Sequence, residues 1–150
     1  MARPSWDEYF SKIAEDVASR STCTKKSRQY GAVIVNDKRE IVATGYNGVV
    51  RGAEHCDEIG CIKEDMEIES GMGHGICPAV HAEQNALIQA GRNSMGCTLY
   101  LNGEPCKICA RLIINAGITR VVCSGQYSDK EGINLLRKHG IAVEYINVER

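Results

Sequence analysis

Pro78-Ala-Val-His-Ala-Glu-Gln-Asn-Ala-Leu-Ile-Gln-Ala-Gly91, then Cys97-Thr-Leu-Tyr-Leu101, then Pro105-Cys-Lys-Ile-Cys-Ala-Arg-Leu-Ile-Ile-Asn-Ala-Gly117 set the fold of this chain. In the first piece Pro78 suits a first helical turn, Ala82, Ala86, Leu87 and Ala90 share one face, and Gly91 is a stop. Cys97 to Leu101 is a short apolar run of strand length. The third piece is a second helix, opened by Pro105 and closed by Gly117. Downstream the alternation continues: strand Ile118 to Cys123, a helix capped by Ser128-Asp-Lys-Glu131 and ending near Gly140, and strand Ile141 to Ile146. Upstream, Ser5-Trp-Asp-Glu8 has the form of a capping box, and Trp6, Tyr9, Phe10, Ile13 and Val17 recur at helical spacing behind it. Tyr30 to Val35 and Ile41 to Tyr46 read as a hairpin around the polar turn Asn36-Asp-Lys-Arg-Glu40. The predicted order is αββαβαβαβ. Strands alternating with single helices favour parallel pairing, so an α/β fold follows: a mixed sheet of about five strands, hairpin at one side, helices on both faces.

The 150 residues are expected to form one domain, residues 1–150. Between about residues 47 and 77 no apolar period is sustained, and the segment is far longer than a plain connection. With 18 Lys+Arg against 19 Asp+Glu, no strong field points to duplex nucleic acid or an anionic membrane. The N-terminus lacks the apolar run of a signal peptide and no stretch is long enough to span a bilayer, so a cytoplasmic location is expected. Eight cysteines in such a chain point to metal ligation ahead of a disulfide scaffold.

The chemistry concentrates at the starts of the two central helices, in His81-Ala82-Glu83 and Pro105-Cys106-Lys107-Ile108-Cys109. A lone C-x-x-C is ambiguous between redox, zinc and neither, and a lone His-Ala-Glu is commonly surface decoration. Together they are coherent. Two thiolates one turn apart and an imidazole from a neighbouring helix make three zinc ligands with a fourth position open, which is the form of a catalytic site. Glu83, two residues beyond the imidazole, is placed to move protons without occupying a ligand position. Helix N-termini favour thiolate at Cys106 and Cys109.

His-x-Glu followed by Pro-Cys-x-x-Cys is the signature of zinc-dependent base deaminases. The chain resembles the deoxycytidylate (dCMP) deaminase family of the cytidine deaminase superfamily. The likeness rests on Ser21-Thr-Cys-Thr24, Gly31-Ala-Val-Ile-Val35, Gly45-Tyr-Asn-Gly48, His55-Cys56 with Gly60-Cys61, Cys77 to Ala86, Pro105 to Cys109 and Ala116-Gly-Ile118. It implies a three-layer, cytidine-deaminase-like sandwich. The implied reaction is hydrolysis of dCMP to dUMP and ammonia, which supplies dUMP for thymidylate synthesis. Zinc would sit on His81, Cys106 and Cys109, with Glu83 as proton shuttle. The backbone around Ala82 would meet the pyrimidine edge, Asn47 the sugar, and Tyr127 would lie beside the nucleotide. An Asn before Gly is also a turn former, and a lone Tyr is also ordinary amphipathic packing. The resemblance further implies a homohexamer regulated by dCTP and dTTP, with room for Mg2+ accompanying a nucleotide effector. Leu101-Asn-Gly-Glu104 departs from the family's pattern before the Pro-Cys pair, and Val49-Val-Arg-Gly52 lacks a proline often found there.

Cys56, Cys61, His74 and Cys77 fall in the aperiodic segment, and Cys23 ends the first helical region. A structural zinc drawn from these five would offset the entropy of ordering the segment; the alternative is free buried thiols. Cys97 and Cys123 read as core. Lys25, Lys26 and Arg28 could reach a 5′-phosphate or be solvated surface, as could Arg20 and Arg51. Two other functions compete with dCMP deamination. A tRNA adenosine or nucleic-acid cytidine deaminase shares the same motifs but calls for a basic, aromatic-lined surface, which one Trp, one Phe and a balanced charge do not supply. A non-catalytic zinc-stabilised nucleotide-binding module would use the same ligands without needing Glu83.

Overall fold

The computed structural model describes residues 2–66, 77–127 and 129–148. Helix α1 (Trp6–Ala18) starts at the expected capping box: Ser5 Oγ accepts the Glu8 amide at 3.1 Å and Glu8 Oε1 accepts the Ser5 amide at 3.4 Å. Its buried face is displaced from the expected one. Phe10, Ala14 and Ala18 are buried with Ile13 and Val17 beside them, while Trp6 and Tyr9 remain about half exposed. The aromatic pair lies on the flank of the helix, where Trp6 stacks on Phe10 and also receives the Arg39 guanidinium.

Strands β1 (Gly31–Val35) and β2 (Ile41–Tyr46) form the hairpin. Asn36 Oδ1 accepts the amides of Lys38 and Glu40, both at 3.0 Å, which holds the polar turn. There follow β3 (Gly48–Val49), α2 (Cys56–Ile59), α3 (Ile62–Asp65), β4 (Ala79–Val80), α4 (Ala82–Ala90), β5 (Thr98–Leu101), α5 (Lys107–Asn115), β6 (Arg120–Cys123), α6 (Glu131–Lys138) and β7 (Ala142–Tyr145). Among the described residues the main sheet has five strands in the order β2-β1-β5-β6-β7. β1 is antiparallel to β2 and β5, and the helical crossovers through α5 and α6 make β5, β6 and β7 parallel. This is the mixed sheet expected, with the hairpin at one edge.

Alternation along the strands sorts the core into two layers. Val33, Val35, Tyr100 and Val122 face α1 and pack on Phe10 and Ala14. Ala32, Ile34, Leu99, Leu101, Val121 and Cys123 face the other way, against Ala82 and Ala86 of α4, Ala110 and Ile113 of α5, and Ile133 and Leu136 of α6. With both faces covered, the strands read as continuous apolar runs. Cys97 and Cys123 are buried in the second layer, as expected.

Two boundaries differ from the sequence reading. Pro78 precedes β4 and lies outside the helix, because Ala79 and Val80 pair with Val49 and Gly48 and the helix begins only at Ala82. Ser128 lies outside the described residues; α6 begins at Glu131, whose amide is accepted by Asp129 Oδ1 at 2.9 Å. The aperiodic segment is also partly ordered, through β3, α2, α3 and β4.

Two packing features hold the layers. A Cβ on Gly45 of β2 would stand 2.4 Å from the carbonyl oxygen of Ala82 and 2.4 Å from the amide of Ala86. β2 therefore lies against the start of α4, the turn that carries His81 and Glu83. Gly45→Ala is expected to cost about 3 kcal/mol, because neither backbone can give way cheaply; chemical denaturation would measure it. On the other face, Arg120 forks onto Asp7 at 2.9 and 2.6 Å and onto Glu144 at 3.1 and 2.6 Å, and the Tyr100 hydroxyl donates to Asp7 at 2.7 Å. The Arg120 hydrogen bonds hold the Asp7 carboxyl below its ordinary 3.8, against the opposing effect of burial. A depressed carboxyl contributes stability above its unfolded value and loses it as pH falls through the folded one. Asp7→Asn is therefore expected to be less stable by about 1–2 kcal/mol at neutral pH. The gap should close in acid below 3.8, as followed by urea unfolding across pH.

Candidate active site

His81 is the N-cap of α4, and Cys106 is the N-cap of α5, both in extended backbone. Gln84 Oε1 accepts the His81 amide at 2.9 Å, which fixes the turn at which the imidazole leaves the chain. Asn85 Nδ2 donates to the Tyr46 carbonyl and the Thr44 amide donates to Gln89 Oε1, both at 2.8 Å, so β2 fixes the orientation of α4. Cys109 follows Cys106 by one turn and is buried.

His81 Nδ1 lies 3.2 Å from Cys109 Sγ and 3.7 Å from Cys106 Sγ, and the three donor atoms all fall within 4.8 Å of one another. Ligands on a tetrahedral zinc, with bonds of about 2.0–2.3 Å, stand roughly 3.5–3.8 Å apart, so this donor set and its spacing fit zinc. The electrostatics agree. The hydrogen bond from Cys109 and the His81 ring bring the Cys106 thiol down to about 3 despite its burial, and the same hydrogen bond with burial pushes Cys109 up. His81 is raised by its hydrogen bond to Cys106. A metal would take the place of the protons these three groups now share.

Glu83 is 5% exposed, and burial raises its carboxyl above the ordinary carboxylate range. The His81 ring and the Cys109 thiol close by partly offset that rise. Glu83, His81 and Cys106 line one cavity. Ala82, Asn47 and Tyr127 line this cavity, so the sequence-derived substrate contacts share one space with His81, Glu83 and Cys106. Asn47 Oδ1 accepts the Tyr30 amide at 2.9 Å and its Nδ2 donates to the Arg28 carbonyl at 2.7 Å. It ties the chain before β1 to the chain after β2. Burial raises the Tyr127 phenol to about 12.

Of the basic residues before β1, Arg28 lines the cavity, whereas Lys25 and Lys26 are exposed and do not. Arg20 and Arg51 are exposed away from it. Cys23, Cys56, Cys61 and Cys77 all line one part of the cavity, and burial with the neighbouring thiols pushes Cys56 up. No three of these four sulfurs lie within 4.8 Å of one another among the described residues. His74 lies outside the described residues.

Sequence reading assigned no role to the wall residues Tyr30, Lys63 and Glu104, nor to Asn102 behind Tyr30. Asn102 accepts the Gly31 amide at 2.8 Å and donates to the Gln29 carbonyl at 3.0 Å, matching Asn47 on the other side of Tyr30. A Cβ at Gly103 would meet the Tyr30 ring at 2.7 Å, so glycine there lets the phenol lie flat against the chain. Glu104 Oε1 accepts the Tyr127 amide at 2.6 Å and also pairs with Lys130; Oε2 accepts the Tyr145 hydroxyl at 2.5 Å. Burial would raise this carboxyl, but those three partners outweigh it and hold it below its ordinary value. The departure Leu101-Asn-Gly-Glu104 is thus the hub that fixes Tyr127. The only sequence signal was its position directly before Pro105-Cys106.

Residues 4–125 match the family described as the cytidine and deoxycytidylate deaminase zinc-binding region. The chain belongs to that family. A deoxycytidylate deaminase of Mycobacterium phage D29 is 44% identical over 128 residues, 81% of this chain and 96% of that protein. One from Saccharomyces cerevisiae is 42% identical over 146 residues, covering 95% of this chain and 45% of that protein, and one from Schizosaccharomyces pombe is 40% identical over 151 residues. The chain spans about half the length of these two yeast relatives. The crystal structure of a dCMP deaminase from the cyanophage S-TIM5 in complex with dCMP and dUMP superposes with a TM-score of 0.79 at 29% identity, covering 97% of this chain and all of that one. The family's zinc-binding region and the His81–Cys106–Cys109 donor set together identify zinc as the metal this site is built to hold. Among the described residues no helix is long and apolar enough to cross a membrane.

Proposed function

We propose that this chain hydrolyses dCMP to dUMP and ammonia in the cavity walled by His81, Glu83 and Cys106. The observation that carries this reading is the buried carboxyl of Glu83 beside a three-donor metal set at the wall of a cavity. Similarity to proteins named deoxycytidylate deaminase, and to a phage enzyme that holds dCMP and dUMP, supports the substrate. Zinc held by His81, Cys106 and Cys109 supplies Lewis acidity that makes water a competent nucleophile near neutral pH. Glu83 receives a proton as water adds to C4 of the cytosine and passes it to N3; it then takes the second proton from the new C4 hydroxyl and delivers it to the amine, which leaves as ammonia while the C4–O bond becomes the carbonyl. The pyrimidine edge meets the backbone at Ala82. Asn47 offers the ribose the amide hydrogen that its two backbone partners leave over. Tyr127, held by Glu104, flanks the nucleotide and keeps water from the base.

The test is a substrate panel with zinc-loaded protein. dCMP should turn over in preference to deoxycytidine, cytidine and a tRNA anticodon stem-loop. An inert dCMP with turnover of the stem-loop or of free cytidine would move the chain to another branch of the superfamily.

The reading extends to a second, structural zinc, to regulation and to assembly. Four of Cys23, Cys56, Cys61, His74 and Cys77 would hold the structural zinc; the gathering of four thiols along one part of the cavity supports it. Metal analysis should give two zinc ions per chain, and one per chain would remove that site while sparing the first. Exposed apolar side chains, Ile88 of α4 at 75%, Met95 in the connection before β5 at 74% and Leu112 of α5 at 44%, support a homo-oligomer, a hexamer by family likeness. Activation by dCTP and inhibition by dTTP, with Mg2+ on the triphosphate, would be read from dCMP saturation curves. A cytoplasmic nucleotide pool is the setting this chemistry fits.

A further inference from the structure

The proposed reaction uses no cation from the segment between β3 and β4, yet that segment buries one. Lys63, in α3, is 5% exposed and lines the same cavity as His81 and Glu83. Lysine is almost never buried without a partner, because desolvating an unpaired ammonium costs several kcal/mol. Among the described residues Lys63 has no ion pair and no hydrogen bond. Among the described residues the acidic side chains lining the cavity are those of Glu83 and Glu104. Glu104 is taken by Lys130, the Tyr127 amide and the Tyr145 hydroxyl, and Glu83 forms no ion pair with Lys63. Among the described residues the cavity therefore presents a buried positive charge without a fixed counter-ion. Arg28 adds a second cationic side chain to its wall. Lys25 and Lys26, close to Arg28 in sequence, are exposed and are not among the lining residues.

We infer that Lys63 recognises the 5′-phosphate of the nucleotide and so sets the preference for a nucleoside monophosphate over the nucleoside. The inference rests on the dCMP reading of this site. A phosphate dianion is the counter-ion the cavity lacks: it enters with the substrate, satisfies the ammonium by charge-assisted hydrogen bonds and leaves with the product. Burial strengthens the contact, since the ammonium has little water to give up when the ligand arrives.

The variants are Lys63→Met, of similar length and uncharged, and Lys63→Arg, which keeps the charge. Four readouts apply: zinc content, thermal midpoint, steady-state kinetics on dCMP and deoxycytidine, and competition by inorganic phosphate. With Lys63→Met the preference for dCMP over deoxycytidine should fall about 10- to 100-fold, carried mainly by KM, and inhibition by inorganic phosphate should be lost. Its thermal midpoint without ligand should rise, because an unpaired buried charge has been removed. Lys63→Arg should recover part of the preference. Equal losses on both substrates, a lowered zinc content, a lowered midpoint or an unchanged phosphate competition would each overturn the inference. If the unaltered protein turns over no dCMP, the dCMP reading fails by itself. Calorimetric titration of both proteins with dUMP and with inorganic phosphate then decides Lys63 separately, with equal affinity in the two overturning its role.

Discussion

Glu83→Gln protein is expected to carry as much zinc as the unaltered chain and to lose about 10²- to 10⁴-fold of its turnover, the range that positioned acid–base groups supply. Glutamine keeps the size of the side chain and its ability to hydrogen-bond but cannot carry one proton from water to N3 and a second from the C4 hydroxyl to the amine. Because Glu83 is no part of the donor triad of His81, Cys106 and Cys109, the metal should stay. Its carboxyl is buried, which costs folding free energy, so the glutamine variant should be at least as stable as the original. Zinc analysis, thermal unfolding and kcat on one preparation make the comparison. Retained turnover with full zinc would leave a nucleotide-binding module, or a different proton carrier, in place of the assigned mechanism.

Removing the metal is the second large effect. Chelation, or Cys109→Ser, should eliminate turnover and also lower the thermal midpoint, because His81, Cys106 and Cys109 tie the starts of α4 and α5 together through one ion. Without the ion those groups share protons across the contacts of 3.2 and 3.7 Å, a weaker tie between the helices. Readdition of zinc should restore both activity and midpoint after chelation. In Cys109→Ser it should restore neither fully. Loss of activity with no change in midpoint would show that the helices are held by packing alone, through Ala82, Ala86, Ala110 and Ile113.

The two helices and the four strands around them are legible in the sequence because each is fixed by local pattern: an apolar period, a proline near the start, a glycine at the end. The metal ligands are legible for the same reason, since His81-Ala-Glu83 and Pro105 to Cys109 each compress a site into a few residues. Local pattern fails where the partner is distant. Pro78 reads as a helix start until Ala79 and Val80 find Val49 and Gly48, thirty and thirty-two residues back along the sequence. Trp6 and Tyr9 count as apolar in a periodicity, yet at the flank of α1 they cover little core and pack largely on each other and Phe10. Tyr30, Lys63, Asn102 and Glu104 carry no motif at all. Their significance comes from a shared cavity wall or from hydrogen bonds across the fold, and a lysine in a polar segment reads as solvated surface until its burial is known.

Hydrolysis at C4 makes one product-level demand that no binding role can imitate. Zinc-loaded protein incubated with dCMP in ¹⁸O-labelled water should yield dUMP carrying one ¹⁸O on the base, with one ammonia released per dUMP, as read by mass spectrometry and an ammonia assay. Recovery of dCMP unchanged, under conditions where the protein is folded and holds its zinc, would contradict the central claim.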